Sequence, residues 1–148
     1  IDIEETAQRN IAAKLEPPGH AVGLLHVFGE HALLTFTYGG ELALARRLDL
    51  RGIPTEEAAD RLASETQRSI DYFERQFHAL PLAKLYLAPT LDGDALYRQL
   101  HEHLSLPLER LDLETLFDFN DHAGLRQPAT QARAFHALGA AMREWKAA

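Results

Sequence analysis

A helical pattern that runs directly into a buried strand constrains this chain more than any other feature. Residues 55–80, TEEAADRLASETQRSIDYFERQFHAL, carry Ala59, Leu62, Thr66, Ile70, Phe73 and Phe77 three or four positions apart. That spacing gathers them on one helical face and leaves Glu57, Arg61, Arg68 and Arg75 on the others. Thr55 is placed to cap the first free amides, and Glu56 and Glu57 sit where the helix dipole favours negative charge. The run that follows, residues 82–88, is apolar on both faces apart from Lys84 and stops at Pro89, as a strand covered on both sides should. A helix feeding such a strand implies a layered α/β domain.

The rest of the chain supplies the neighbours. Residues 2–15 read as a short amphipathic helix with Ile3, Ala7, Ile11 and Leu15 in line, Asp2 as cap and Glu5 completing a capping box. Glu16-Pro17-Pro18-Gly19 breaks it, because two prolines remove amide donors and force extended geometry. Three apolar runs follow, residues 21–28, 32–38 and 41–50, separated by Gly29-Glu30-His31 and by Gly39-Gly40. A Gly-Gly connection supplies the positive φ angles of a tight hairpin, so an antiparallel three-stranded meander is expected. The first run, apolar on both faces, belongs in the middle of a sheet, and the third, interrupted by Arg46 and Arg47, at its edge.

Beyond the central pair, Asp92 is expected to cap a helix over 93–104 with Leu96, Leu100 and Leu104 inward. Residues 108–113 predict a fifth strand and 114–119 one helical turn. A last helix over 130–145 turns Phe135, Leu138, Met142 and Trp145 to one side, with Gly139-Ala140-Ala141 admitting a close approach to the sheet. The order β-β-β-α-β-α-β-α, with right-handed crossovers, gives a mixed five-stranded sheet with helices on both faces. This is the ribonuclease H-like topology, shared by some nucleases and by each half of the actin-like ATPases.

Bulk properties limit the functions open to such a chain. Its 148 residues suit one domain, and without cysteine there is no disulfide framework, thiolate metal site or cysteine nucleophile. A formal charge of −7 with dispersed basic residues argues against a nucleic-acid groove. No apolar run approaches the ~20 residues needed to span a bilayer, and nothing reads as a signal peptide. The chain begins with Ile, which leads us to expect a piece of a longer protein.

Residue patterns for chemistry are thin. A two-metal nuclease needs acidic residues at the ends of central strands, where the first strand offers His26 and the fourth Ala88-Pro89-Thr90, with Asp92 and Asp94 beyond. Nucleotide binding in this topology needs a glycine-bearing first hairpin preceded by an acid. Here it reads His26-Val27-Phe28-Gly29-Glu30-His31. An adenosine would need a glycine-rich turn after the fourth strand, where the chain has Ala88-Pro89-Thr90-Leu91-Asp92-Gly93. His101 and His103 lie two apart and share no helical face, while His78 and His136 are expected near helix ends or edges. Ser64 and Ser69 have no nucleophile-elbow context, and Asp71 is set to pair with Arg75. No residue is assigned a catalytic, cofactor-binding or metal-binding role.

LASETQRSIDYFERQF paired with KLYLAPT, preceded by GGELALARRLDL and followed by ALGAAMRE, resembles the MshI proteins of mannose-sensitive haemagglutinin (MSHA) pilus biogenesis. These are relatives of PilM, the actin-like cytoplasmic protein of type IV pilus assembly. The likeness covers nearly the whole chain, and IDIEETAQRNIAAKL looks like the segment that joins the two halves of such proteins. It implies residues 1–16 as an interdomain helix and 17–148 as the second, ribonuclease H-like half. It further implies a place at the cytoplasmic face of the inner membrane with PilN-like assembly partners. Two departures accompany it: the nucleotide loops have lost most of their glycine and acidic pattern, and residues 51–56 are too short to hold the inserted subdomain of actin-like proteins. The expectation is a non-catalytic scaffold without a cofactor. The alternatives are an ATP binder completed by the missing half, or a homo-oligomer paired through the first helix or the edge strand.

Overall fold

In the computed structural model, which describes residues 3–120 and 122–147 with the side chains of 143–147 excepted, four helices and five strands follow the expected order. They are α1 (Ile3–Ala13), β1 (Ala21–Phe28), β2 (His31–Tyr38), β3 (Glu41–Asp49), α2 (Thr55–Gln76), β4 (Leu82–Leu87), α3 (Gly93–His103), β5 (Leu108–Arg110) and α4 (Pro128–Ala147). One sheet runs β3-β2-β1-β4-β5. β1, β2 and β3 pair antiparallel, and β4 and β5 add in parallel after their helical crossovers.

The meander forms because its turns can. Phe28 pairs with His31 across Gly29-Glu30, and Tyr38 with Glu41 across Gly39-Gly40. Gly39 and Gly40 take φ of 60° and 77°, the left-handed region in which a side chain would be strained. His31 therefore belongs to the second strand and not to the turn.

Alternation along the central strands sends side chains into two cores. Leu25, Leu85 and Leu87 meet Leu62, Ile70 and Phe73 of α2 on one face, where Phe36 stacks on Phe73 at 4.8 Å. Val22, Leu24 and Tyr86 meet Ile11 of α1 and Phe135 of α4 on the other. Each such large side chain contributes roughly 1.5–3 kcal/mol on burial, so both helical layers are held by apolar contact.

Several expectations are corrected. Pro54, not Thr55, holds the cap position of α2, its carbonyl accepting from the Glu57 and Ala58 amides, and no side chain caps this end. The helix ends at Gln76, short of residue 80. Asp92 does precede α3, but it takes a left-handed conformation (φ 54°) and its carboxylate accepts no cap hydrogen bond. β5 stops at Arg110 because Asp112 turns its carboxylate back onto the Glu114 amide and opens a 3-10 turn at Leu113–Thr115. A second such turn, Ala123–Arg126, is one the sequence did not suggest. α4 begins at Pro128, before residue 130. The small residue Gly139 admits α1, not the sheet, since a Cβ there would run into the Ala7 backbone. Ile3, expected in the buried stripe, is 75% exposed. The capping box on Asp2 and the facing of Trp145 lie outside the described residues.

Candidate functional site

β1, β4 and β5 run in one direction, and their C-terminal ends open at one end of the sheet, where α/β folds form their crevices. Among the described residues, the concavities near that end include two that differ in lining. A groove of about 640 Å³ lies between the β1–β2 turn, the end of β3 and α4, lined by His26, Phe28, His31, Arg47, Arg133 and His136 among others. A smaller cleft of about 220 Å³ lies beyond the ends of β4 and β5, against the starts of α3 and α4.

His26 forms the floor of the groove. Its ring lies between Phe28 and Phe135, with centroids 6.2 and 4.7 Å away. Its Nε2 stands 3.0 Å from the Ala132 carbonyl. Burial pushes its pKa down to about 4 and neighbouring His136 adds to the shift, while the Ala132 carbonyl and Glu4 oppose it. The ring is therefore neutral at pH 7, and its Nε2–H donates to Ala132, leaving Nδ1 without the proton.

A second histidine joins it from α4. His136 lies edge-on to His26 at 4.5 Å, with Nε2 at 2.9 Å from Gln8 Oε1 and Nδ1 at 3.1 Å from Glu4 Oε2. Gln8 is fully buried, and its amide nitrogen lies 3.0 Å from Thr35 Oγ1 and 3.3 Å from the Leu24 carbonyl. With that nitrogen committed to acceptors, Gln8 Oε1 must accept and His136 Nε2 must donate. Arg47 reaches Glu4 and Glu5 at 3.6 and 3.9 Å, tying the edge strand to α1.

The smaller cleft is closed toward β1. Thr90 Oγ1 donates to the Val27 carbonyl at 2.9 Å, and the Ala88 amide donates to Leu25 at 2.9 Å. From β5, Arg110 leans across the start of α3 and pairs with Asp94, and its guanidinium would stand 2.6 Å from a Cβ placed on Gly93. Phe28 on one side and Pro89 and Arg110 on the other thus fill the approaches to both loops. Gln131, in the first turn of α4, lines the cleft and is 7% exposed.

The other residues singled out in the sequence do not converge. Asp94 pairs with Arg110, and Asp92 is exposed without joining it. His101 stacks on Tyr97, His103 faces a shallow groove shared with Ser64, and His78 is exposed. Ser69 donates to the Glu65 carbonyl within its own helix. Asp71 accepts from Gln67 at 2.9 Å, and no Arg75 partnership forms. His136, expected at an edge, stands mid-helix against His26, a pairing across 110 residues that no local pattern signals. Among the described residues no three His, Asp or Glu side chains are placed to hold a metal, and no helix is long and apolar enough to cross a membrane.

No protein-family model matches the sequence, and no curated protein matches it. Among solved structures, the chain is similar to one described as "PilM-PilN type IV pilus biogenesis complex", at 18% identity and a TM-score of 0.66, over 93% of this chain and 50% of that one. It is also similar to a ROK family transcriptional regulator, a homolog of the E. coli MLC protein, at 14% identity and a TM-score of 0.51, over 63% of this chain and 28% of that one. The chain thus spans about half the length of the first of these structures and less of the second. At these identities the likeness establishes the fold alone, a mixed five-stranded sheet in the order β3-β2-β1-β4-β5 with helices on both faces.

Proposed function

We propose that this chain is the second half of a PilM-like protein and serves type IV pilus assembly as a non-catalytic scaffold. The observation that carries the reading is its likeness, over 93% of its length, to half of a chain in a solved PilM-PilN pilus complex. The sequence motifs favour the MshI proteins of MSHA pilus biogenesis within that group. Residues 1–16 would be the join to the other half, and PilN-like inner-membrane proteins the partners, met at the cytoplasmic face.

The strand ends support a role without catalysis. A nucleotide of this fold family would need bare backbone at both loops, and Phe28, Pro89 and the Arg110–Asp94 pair stand there instead. Titration calorimetry of the protein with Mg-ATP should show no saturable heat, and micromolar binding would overturn the non-catalytic reading. Pull-down of the full-length protein with PilN-like cytoplasmic segments tests the scaffold reading, which fails if none is retained.

One observation favours a second reading, in which the missing half completes an ATP site. The groove over His26 is about 640 Å³, inside the ~300–1,000 Å³ of ordinary small-molecule sites, and Arg47 and Arg133 reach it. If that reading holds, ATP will raise the melting temperature of the full-length protein.

A further inference from the structure

We propose that the groove over His26 binds a small monocarboxylate with a flat apolar body, its carboxylate on Arg133 and its body on Phe28. The two come from distant parts of the chain, Arg133 from α4 and Phe28 from the end of β1. They line one concavity of about 640 Å³, a size at which ordinary small-molecule sites are found. The charged groups around it leave one arginine over. Of the two acids in the lining, Glu4 is met by Arg47 at 3.6 Å and by His136 Nδ1 at 3.1 Å, and Asp49 by Arg51 at 2.8 Å. Arg47 is thereby committed to α1, through Glu4 and Glu5. Arg133, the other arginine of the lining, is exposed and makes no hydrogen bond or ion pair among the described residues.

Charge sets the class of ligand. One guanidinium matches one carboxylate, through two parallel N–H···O bonds in the plane of both groups. A polyphosphate would leave most of its charge uncompensated there, in a chain whose formal charge is already −7. The apolar surface sets the body. His26 is stacked between Phe135 and Phe28, with centroids 4.7 and 6.2 Å away, and the ladder ends in Phe28, which is 46% exposed. Ala32, Leu33, Leu48 and Ala132 extend the apolar lining. A planar body laid against Phe28 adds one step to the ladder and removes apolar surface from water. The inference rests on neither functional reading above, because every group it uses belongs to this chain.

The test titrates the protein with sodium benzoate and, in parallel, with benzamide, which has the same ring and no charge, sodium chloride holding ionic strength constant. The Ala32 and Ala132 methyl signals are followed by NMR. Benzoate should shift both saturably and bind about tenfold more tightly than benzamide. Arg133→Gln should abolish that preference, weakening benzoate about tenfold and leaving benzamide unchanged. Phe28→Ser should weaken both probes by a similar factor. Because Arg133 is exposed and unpaired, its variant keeps the test decisive if the Phe28 variant fails to fold. Benzoate that does not saturate, benzamide that binds as tightly as benzoate, or a benzoate affinity unchanged in Arg133→Gln would each overturn the site. Displacement of benzoate by an equimolar amount of Mg-ATP would overturn the class of ligand and favour the nucleotide reading instead.

Discussion

His136 of α4 stands edge-on to His26 of β1, ring centroids 4.5 Å apart and planes at 73°, so a buried and a partly buried imidazole share one wall of the groove. Because burial and His136 hold the His26 pKa down at about 4 from 6.5, the unfolded chain takes up a proton on this residue before the folded protein does. The associated stability is therefore whole above pH 6.5, declines as pH falls, and is gone by about pH 4. The loss is on the order of 3 kcal/mol. Urea titrations at neutral pH and at about pH 5 should show this slope, and His26→Gln, which keeps a donor for Ala132 and cannot titrate, should flatten it. Asp49, held down at about 2 by Arg51, adds a loss of the same sign only in more acid solution. A His26→Gln slope equal to that of the parent would refute the assignment.

Gly139 is where α4 rides on α1. A Cβ at this position would come within 3.0 Å of the Ala7 Cα and closer still to its carbonyl. In an open helix Gly→Ala gains about 1 kcal/mol; here the collision should outweigh that gain and leave a net loss of roughly 1–3 kcal/mol. Denaturant melts read the sign directly, and a stabilised Gly139→Ala protein would show that α1 can yield.

The contrast between these contacts and the meander explains what the sequence discloses. Gly39-Gly40, the alternation in β3 and the apolar stripe of α2 are local signals, written within a few residues of each other. The order of the sheet and its edge strand follow from them. Gly139 is visible as a small residue, but its partner Ala7 is 132 positions away, and the sequence does not say which layer it admits. The same holds at the strand ends. The loops 28–31 and 88–93 are recognisable from the topology, whereas Arg110, Gln131 and His136 reach them from elements far along the chain. Local competition accounts for the remaining misses: the Pro54 carbonyl takes the amides expected for Thr55, and Asp112 bonds its own turn and cuts β5 short.

Gln8 is the polar centre of the α1 layer, fully buried between the Leu24 carbonyl, Thr35 and His136. Replacing it by Leu leaves the His136 Nε2 proton without its acceptor, a loss of about 1–3 kcal/mol. Combining Gln8→Leu with His136→Phe should cost less than the two single changes added together, since both remove one shared bond. Strict additivity in a double-mutant cycle would mean that the bond contributes nothing.

Gly23 lies in the middle of β1, where side chains of the two neighbouring strands leave no room for a methyl group. A Cβ on it would meet Leu85 Cδ1 at 2.7 Å and the Phe36 ring at 3.2 Å. Phe36 is itself stacked on Phe73 and cannot retreat without opening the α2 core. Gly23→Ala is therefore expected to lose roughly 1–3 kcal/mol through overpacking, although alanine is otherwise the easier residue to order in a strand. The nearer collision is with one terminal methyl of Leu85, so Leu85→Val, which removes the δ-carbons, should recover part of the loss in the Gly23→Ala background while destabilising the parent. Chemical denaturation of the four proteins measures this reversal of sign, and a Leu85→Val change that is equally harmful in both backgrounds would place the strain elsewhere.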